Sequence, residues 1–109
     1  MLLVITDHAT KEEIEKMAED FSGYIKIVVD MEKGILTGGG KRHVEGEQFL
    51  LESGSKQKNL WGGGLDLESS EIDYNSMINI RPSQNNFSRD IMSEETRKEF
   101  DEIIKKLLL

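Results

Sequence analysis

Tyr24-Ile-Lys-Ile-Val-Val-Asp-Met-Glu-Lys-Gly-Ile-Leu-Thr37 is the stretch on which the fold turns. Ile25, Ile27, Val29 and Met31 alternate with Tyr24, Lys26, Val28 and Asp30. The run is rich in β-branched residues, so it spells a strand with one fully apolar face. Glu32-Lys33-Gly34 makes a tight turn, and Ile35-Leu36-Thr37 returns as the second strand of a hairpin. The rest of the chain has to cover that apolar face.

On the N-terminal side, Leu2 to Thr6 reads as a short buried strand, followed by a loop at Asp7 and His8. Thr10-Lys-Glu-Glu13 is a capping box, in which the threonine hydroxyl accepts a backbone N–H three residues on and the glutamate reaches back. Ile14, Met17, Ala18 and Phe21 follow at the spacing of one buried helical stripe. Ser22-Gly23 marks its stop. A strand, a helix and a second strand in this order predict a right-handed crossover joining two parallel strands.

On the C-terminal side, Gly38-Gly39-Gly40 breaks the pattern. Val44, Phe49, Leu50 and Leu51 predict a second helix ending near Gly54, although Gly46 costs it about 1 kcal/mol. Leu60, Trp61, Leu65 and Leu67 bracket Gly62-Gly63-Gly64, which reads as a strand with a glycine-bent middle. Ile72, Tyr74, Met77, Ile78 and Ile80 predict a further strand, with a bulge where the alternation slips at Ser76-Met77. Pro82 ends that ladder. Ser93 caps a last helix whose first turn carries Glu94 and Glu95. Phe100, Ile103, Ile104, Leu107 and Leu108 form its apolar stripe, and Asp101 with Lys105 and Glu102 with Lys106 stand at i, i+4. The expectation is one α+β domain over residues 1–109, in the order β-α-β-β-α-β-β-α. It has two layers: a mixed sheet of about five short strands, with three helices packed on one side.

The chain of 109 residues has 21 acidic and 14 basic side chains, a net charge of −7 and no cysteine. The missing cysteines exclude a disulfide scaffold, a thiolate zinc site and a thiol nucleophile. The first residues show no basic region before a long apolar run, and no stretch reaches the roughly 20 apolar residues of a membrane span. The chain is therefore expected in the cytoplasm and off the membrane. Its acidity argues against nucleic acid as a partner. The segment from Lys33 to Leu65 departs from that balance, with Lys33, Lys41, Arg42, Lys56 and Lys58 against Glu45, Glu47 and Glu52.

Three segments carry a resemblance: Val28-Val-Asp-Met-Glu-Lys-Gly34, Leu50-Leu-Glu-Ser-Gly-Ser-Lys-Gln-Lys-Asn-Leu-Trp-Gly62, and Ile78-Asn-Ile-Arg-Pro-Ser-Gln-Asn-Asn-Phe-Ser-Arg89. Together they resemble a family of small prokaryotic proteins known only as a domain of unknown function. The resemblance runs over nearly the whole chain and keeps the order of the segments. The family pattern has Gly-Asn where this chain has Asn85-Asn86. It implies no activity, ligand or partner.

The residues themselves offer a few candidate sites. Arg81, Asn85, Asn86, Ser88 and Arg89 fall in one polar segment before the last helix. Two guanidiniums with amide and hydroxyl donors are the equipment of a phosphate or carboxylate clamp. The competing reading is a loop pinned by its own Asn and Ser side chains. Gly38-Gly39-Gly40 with Lys41 and Arg42 precedes a predicted helix and has the makings of an anion cradle, although it lacks the P-loop spacing. Ordinary hairpin exits look the same. His43 and Glu47 share a helix face but lack a third metal ligand, so no metal site is expected. The acids Asp66, Glu68, Glu71 and Asp73 lack a calcium-loop pattern. Trp61 is expected in the core rather than at a partner surface.

No Gly-x-Ser-x-Gly elbow or other catalytic motif is present, so no catalytic residue and no cofactor is assigned. The expected function is a binding or interaction module. Its Arg/Asn loop takes a small anionic ligand or a protein partner. The alternative is a small enzyme on a phosphate- or carboxylate-bearing substrate, with His43 or a carboxylate moving protons.

Overall fold

The computed structural model describes all residues 1–109. The five expected strands are β1 (Leu3–Ile5), β2 (Tyr24–Asp30), β3 (Ile35–Gly38), β4 (Leu60–Asp66) and β5 (Ile72–Asp73). The three helices are α1 (Lys11–Met17), α2 (His43–Glu52) and α3 (Glu94–Leu108). Class and element order match the sequence reading.

The Thr10 capping box forms as written, with Glu13 N–H on the Thr10 hydroxyl and Thr10 N–H on the Glu13 carboxylate. α1 tightens into a 3-10 turn at Ala18–Asp20 and stops where Ser22 and Gly23 take positive φ. The hairpin forms with Val29 opposite Leu36. Asp30 organises its turn: one carboxylate oxygen accepts the Glu32 and Lys33 N–H groups, and the other accepts the Ser55 hydroxyl at 2.6 Å.

The sheet order is β1-β3-β2-β4-β5, and every neighbouring pair is antiparallel. The sheet is therefore not mixed. β1 and β2 do run in the same direction, but β3 lies between them and bonds antiparallel to both. The hairpin return claims the β2 edge first, because its partner is only a turn away.

The helices are also divided, which corrects the two-layer arrangement with all three on one side. Ile25, Ile27, Val29 and Leu36 point into the main core with Met17 of α1 and Phe100, Ile104 and Leu107 of α3. Val28 points the other way, into a small cluster with Leu50 of α2 and Leu60. β2 is apolar on both faces at its C-terminal half, so both faces need cover. Gly46 is what lets α2 lie close: a Cβ there would collide with the Thr37 hydroxyl and press on Val28.

The last expected strand is cut short. β5 holds only Ile72 and Asp73, and beyond it the chain turns through 3-10 segments at Met77–Asn79 and Pro82–Gln84. Asn79 takes over where a strand would have continued. Its side-chain carbonyl accepts Gly62 N–H at 2.8 Å, and its amide donates to Gly62 C=O at 2.8 Å. The same amide also donates to the Tyr74 and Arg89 carbonyls. One buried amide thus satisfies a stretch of the β4 edge that would otherwise be left without partners.

In α3, Ser93 caps as expected and the apolar stripe is buried, Ile103 only in part. Asp101 accepts the Tyr74 hydroxyl, and neither of the two ion pairs in the molecule involves Lys105 or Lys106.

Candidate functional site

β4 lies in the middle of the fold with Gly62, Gly63 and Gly64 in sequence, and each glycine gives room to a particular neighbour. A Cβ on Gly63 would strike the Phe100 ring on the α3 face and the Asp73 carbonyl. Cβ atoms on Gly62 and Gly64 would strike Ser76 and the Tyr24 ring on the opposite face. That opposite face is where α2 covers only part of the sheet. On that face a groove opens between the first turn of α2 and the chain from Asp73 to Ile78.

The groove has two adjoining lobes, of about 330 Å³ and 340 Å³. Lys26, His43, Ser76 and Met77 line both. Arg42, Val44 and Ile78 complete the first, which is mainly apolar. Tyr24, Asp73, Asn75 and Arg89 complete the second, which is mainly polar.

Tyr24 reaches across glycine 64 from β2 to β5 and donates its hydroxyl to Asp73 at 2.6 Å. Burial first, and then the Asp73 carboxylate, push the Tyr24 pKa far above the ordinary phenol value. It remains a neutral donor at any physiological pH. His43 opens α2 and brings Nε2 to 2.6 Å from the Gly63 carbonyl. A carbonyl only accepts, so Nε2 carries the proton and a neutral ring has its lone pair on Nδ1. Burial lowers the His43 pKa; the Gly63 bond and Asp73 work upward, and Lys26 works downward.

Lys26, Arg42 and Arg89 bring three cations to this groove against the single carboxylate of Asp73. None of the three belongs to an ion pair; the two in the molecule are Met1 ammonium with Asp20 and Lys16 with Glu12. Lys26 does stand 5.1 Å from the Phe21 ring centroid. In a chain of net charge −7, this is a local reversal of sign.

The residues singled out by sequence separate into two groups. Arg42 and Arg89 line the groove. Arg81 does not, and it does not form a clamp with Arg89. Arg81 is buried, donates to the Leu60 and Ile78 carbonyls and to Gln84, and stacks 4.5 Å over the Trp61 ring. Its Nε and the Glu47 Oε2 are buried without hydrogen-bond partners. Asn86 is buried too, donating to the carbonyls of Asn79, Ser88 and Asp90 and accepting Met92 N–H. Asn85 takes φ +59° to close the turn, and the Ser88 hydroxyl accepts Asp90 N–H. These four hold the loop in shape.

The Gly38–Gly40 run is not an empty cradle. Gly40 N–H is held by the Asp20 carboxylate, and Lys41 and Arg42 N–H are both held by Glu45 Oε1. These two backbone bonds, Arg42 before Lys41, hold the Glu45 pKa below its usual value. The Lys41 side chain lines neither lobe. Lys33 sits elsewhere, beside Glu99 and Glu102. His43 and Glu47 gather no further ligand, and no group of three metal-binding side chains exists. Asp66 accepts Glu68 and Ser69 N–H in a self-contained turn. Trp61 belongs to the main core.

Sequence reasoning missed Tyr24, Lys26, Ser76 and Met77, and weighed Asp73 only as part of an acidic run. One signal was available: Lys26 interrupts an apolar strand on the face away from the core, next to a strand with three glycines in a row.

Fold and groove together define a small α+β protein with an antiparallel sheet, helices on both faces and a cationic groove. The family model described as "Protein of unknown function (DUF5674)" matches residues 3–107, and the chain belongs to that family. No curated protein and no solved structure matches the chain.

Proposed function

We propose that this protein is a small cytoplasmic binding module that holds an anionic small molecule in the groove between α2 and the Asp73–Ile78 segment. The supporting observation is that Lys26, Arg42 and Arg89 line one groove and none is paired with a carboxylate within the chain. Unpaired cations around a concave site are the usual make-up of an oxyanion pocket. The anion belongs here, not on Arg81 and Asn86, which are buried and bond mainly within the chain.

A thermal-shift series with inorganic phosphate, sugar phosphates, simple carboxylates and chloride tests this reading. A ligand at 100 times its dissociation constant stabilises the fold by about 2.7 kcal/mol, several degrees for a domain of this size. The shift is expected with one oxyanion class, is absent with chloride, and disappears in Lys26→Gln/Arg89→Gln. A shift that survives in the double variant would place the anion elsewhere.

One observation favours a second reading, a small enzyme acting on an anionic substrate. Fixing His43 Nε2 on Gly63 leaves Nδ1 as a proton acceptor at a cationic site. Turnover of a bound anion that is lost in His43→Gln while binding persists would select this reading.

A further inference from the structure

We propose that the ligand is a phosphate monoester carrying an apolar arm, bound with its phosphate near Lys26 and the arm in the lobe walled by Val44, Met77 and Ile78. The inference rests on the anion-binding reading above and adds the ligand's other half.

Val44 is 46% exposed and Met77 65% exposed, yet both belong to the wall of a concave lobe rather than to a convex surface. Ile78 completes the same wall and packs on the small Val28–Leu50–Leu60 cluster, so the wall is backed by core. An apolar wall left uncovered beside unpaired cations matches a ligand with both characters. The two lobes meet at Lys26, His43, Ser76 and Met77, so one molecule of modest size spans them without leaving the groove.

Three cations against one carboxylate favour a dianion over a monoanion. Asp73 lines only the polar lobe and already accepts the Tyr24 hydroxyl, which makes its side of that lobe less favourable for the phosphate. The phosphate is thereby directed to the junction of the lobes, which brings its substituent against Val44 and Met77.

Isothermal titration with two probes that differ only in the arm tests the proposal: inorganic phosphate and phenyl phosphate, at a pH where both are largely dianionic. Phenyl phosphate is expected to bind roughly tenfold more tightly, the return for burying one ring. In Val44→Ser/Met77→Ser the ratio of the two affinities is expected to fall to about one, while Arg89→Gln weakens both probes. Reading the ratio keeps the test valid if the double variant is less stable. Equal affinities in the wild-type protein would overturn the apolar arm and leave the anion site standing. Binding of neither probe would overturn both. Phenylacetate binding as tightly as phenyl phosphate would overturn the dianion.

Discussion

Gly64 is the position where one missing side chain has the most visible effect. Tyr24 lies where a Cβ on Gly64 would be, and the Tyr24–Asp73 bond exists because that space is free. Gly64→Ala is expected to force the ring away, break the bond and cost about 1–3 kcal/mol of stability, measured by urea denaturation. Adding Tyr24→Ala removes the obstacle, so the two changes together should cost less than the sum of each alone. Strict additivity would show that ring and glycine do not compete for the same space. None of this is legible in sequence, where Gly62-Gly63-Gly64 reads only as a bend. The role of each glycine depends on which neighbour the tertiary fold brings over it. The Arg81 outcome has a similar cause: an arginine meant for a ligand and one meant for two backbone carbonyls and a Trp face are the same letter.

Elements with local determinants were legible almost to the residue. The Thr10 capping box, the Tyr24–Thr37 hairpin and the Ser93-capped last helix depend on neighbours within a few positions, and they form as read. β5 was not, because it ends when a side chain takes over the hydrogen bonding of a strand. Asn79 is fully buried and pairs with both backbone groups of Gly62. Asn79→Ala is expected to leave those groups buried and unsatisfied, at a cost of about 3 kcal/mol or more. The Gly62 amide should also exchange with solvent far faster relative to its neighbours. A loss below about 1 kcal/mol with unchanged exchange would mean that water or a shifted strand replaces the amide. The placement of α2 across the sheet from α1 and α3 was equally hidden. Val28 alternates onto the face of Tyr24, Lys26 and Asp30, which reads as outward, and only Gly46 hints at a helix pressed against Thr37.

For the molecule as a whole, pH dependence separates into two windows. His43 has a folded pKa below its unfolded value, so the native state binds fewer protons than the unfolded chain. Stability is therefore unaffected well above about pH 6.5, falls as the pH drops below it, and levels off once His43 is protonated in both states. Glu45 shifts the same way for the opposite charge type. Held below its usual value, it contributes stability above the ordinary carboxylate range that disappears as the pH falls through its folded pKa. The urea midpoint should thus decline in a first step beginning near neutrality and a second in acid. His43→Gln should flatten the first step alone; an unchanged first step would show that another group is responsible. Charge, size and the absence of cysteine fitted the chain to a small acidic domain. They could not locate the groove, because its cations come from β2, the start of α2 and the loop before α3.

The tightly packed glycines of β4 set where this protein can be redesigned. The three are fixed on both sides, by Phe100 beneath and by Tyr24 and Ser76 above. The groove walls are supplied by side chains such as Val44, Met77 and Arg89, all three exposed. A combinatorial library that varies those wall positions and leaves residues 62–64 untouched would sample new ligand preferences on an unchanged scaffold. One that varies residues 62–64 would mostly sample destabilised chains.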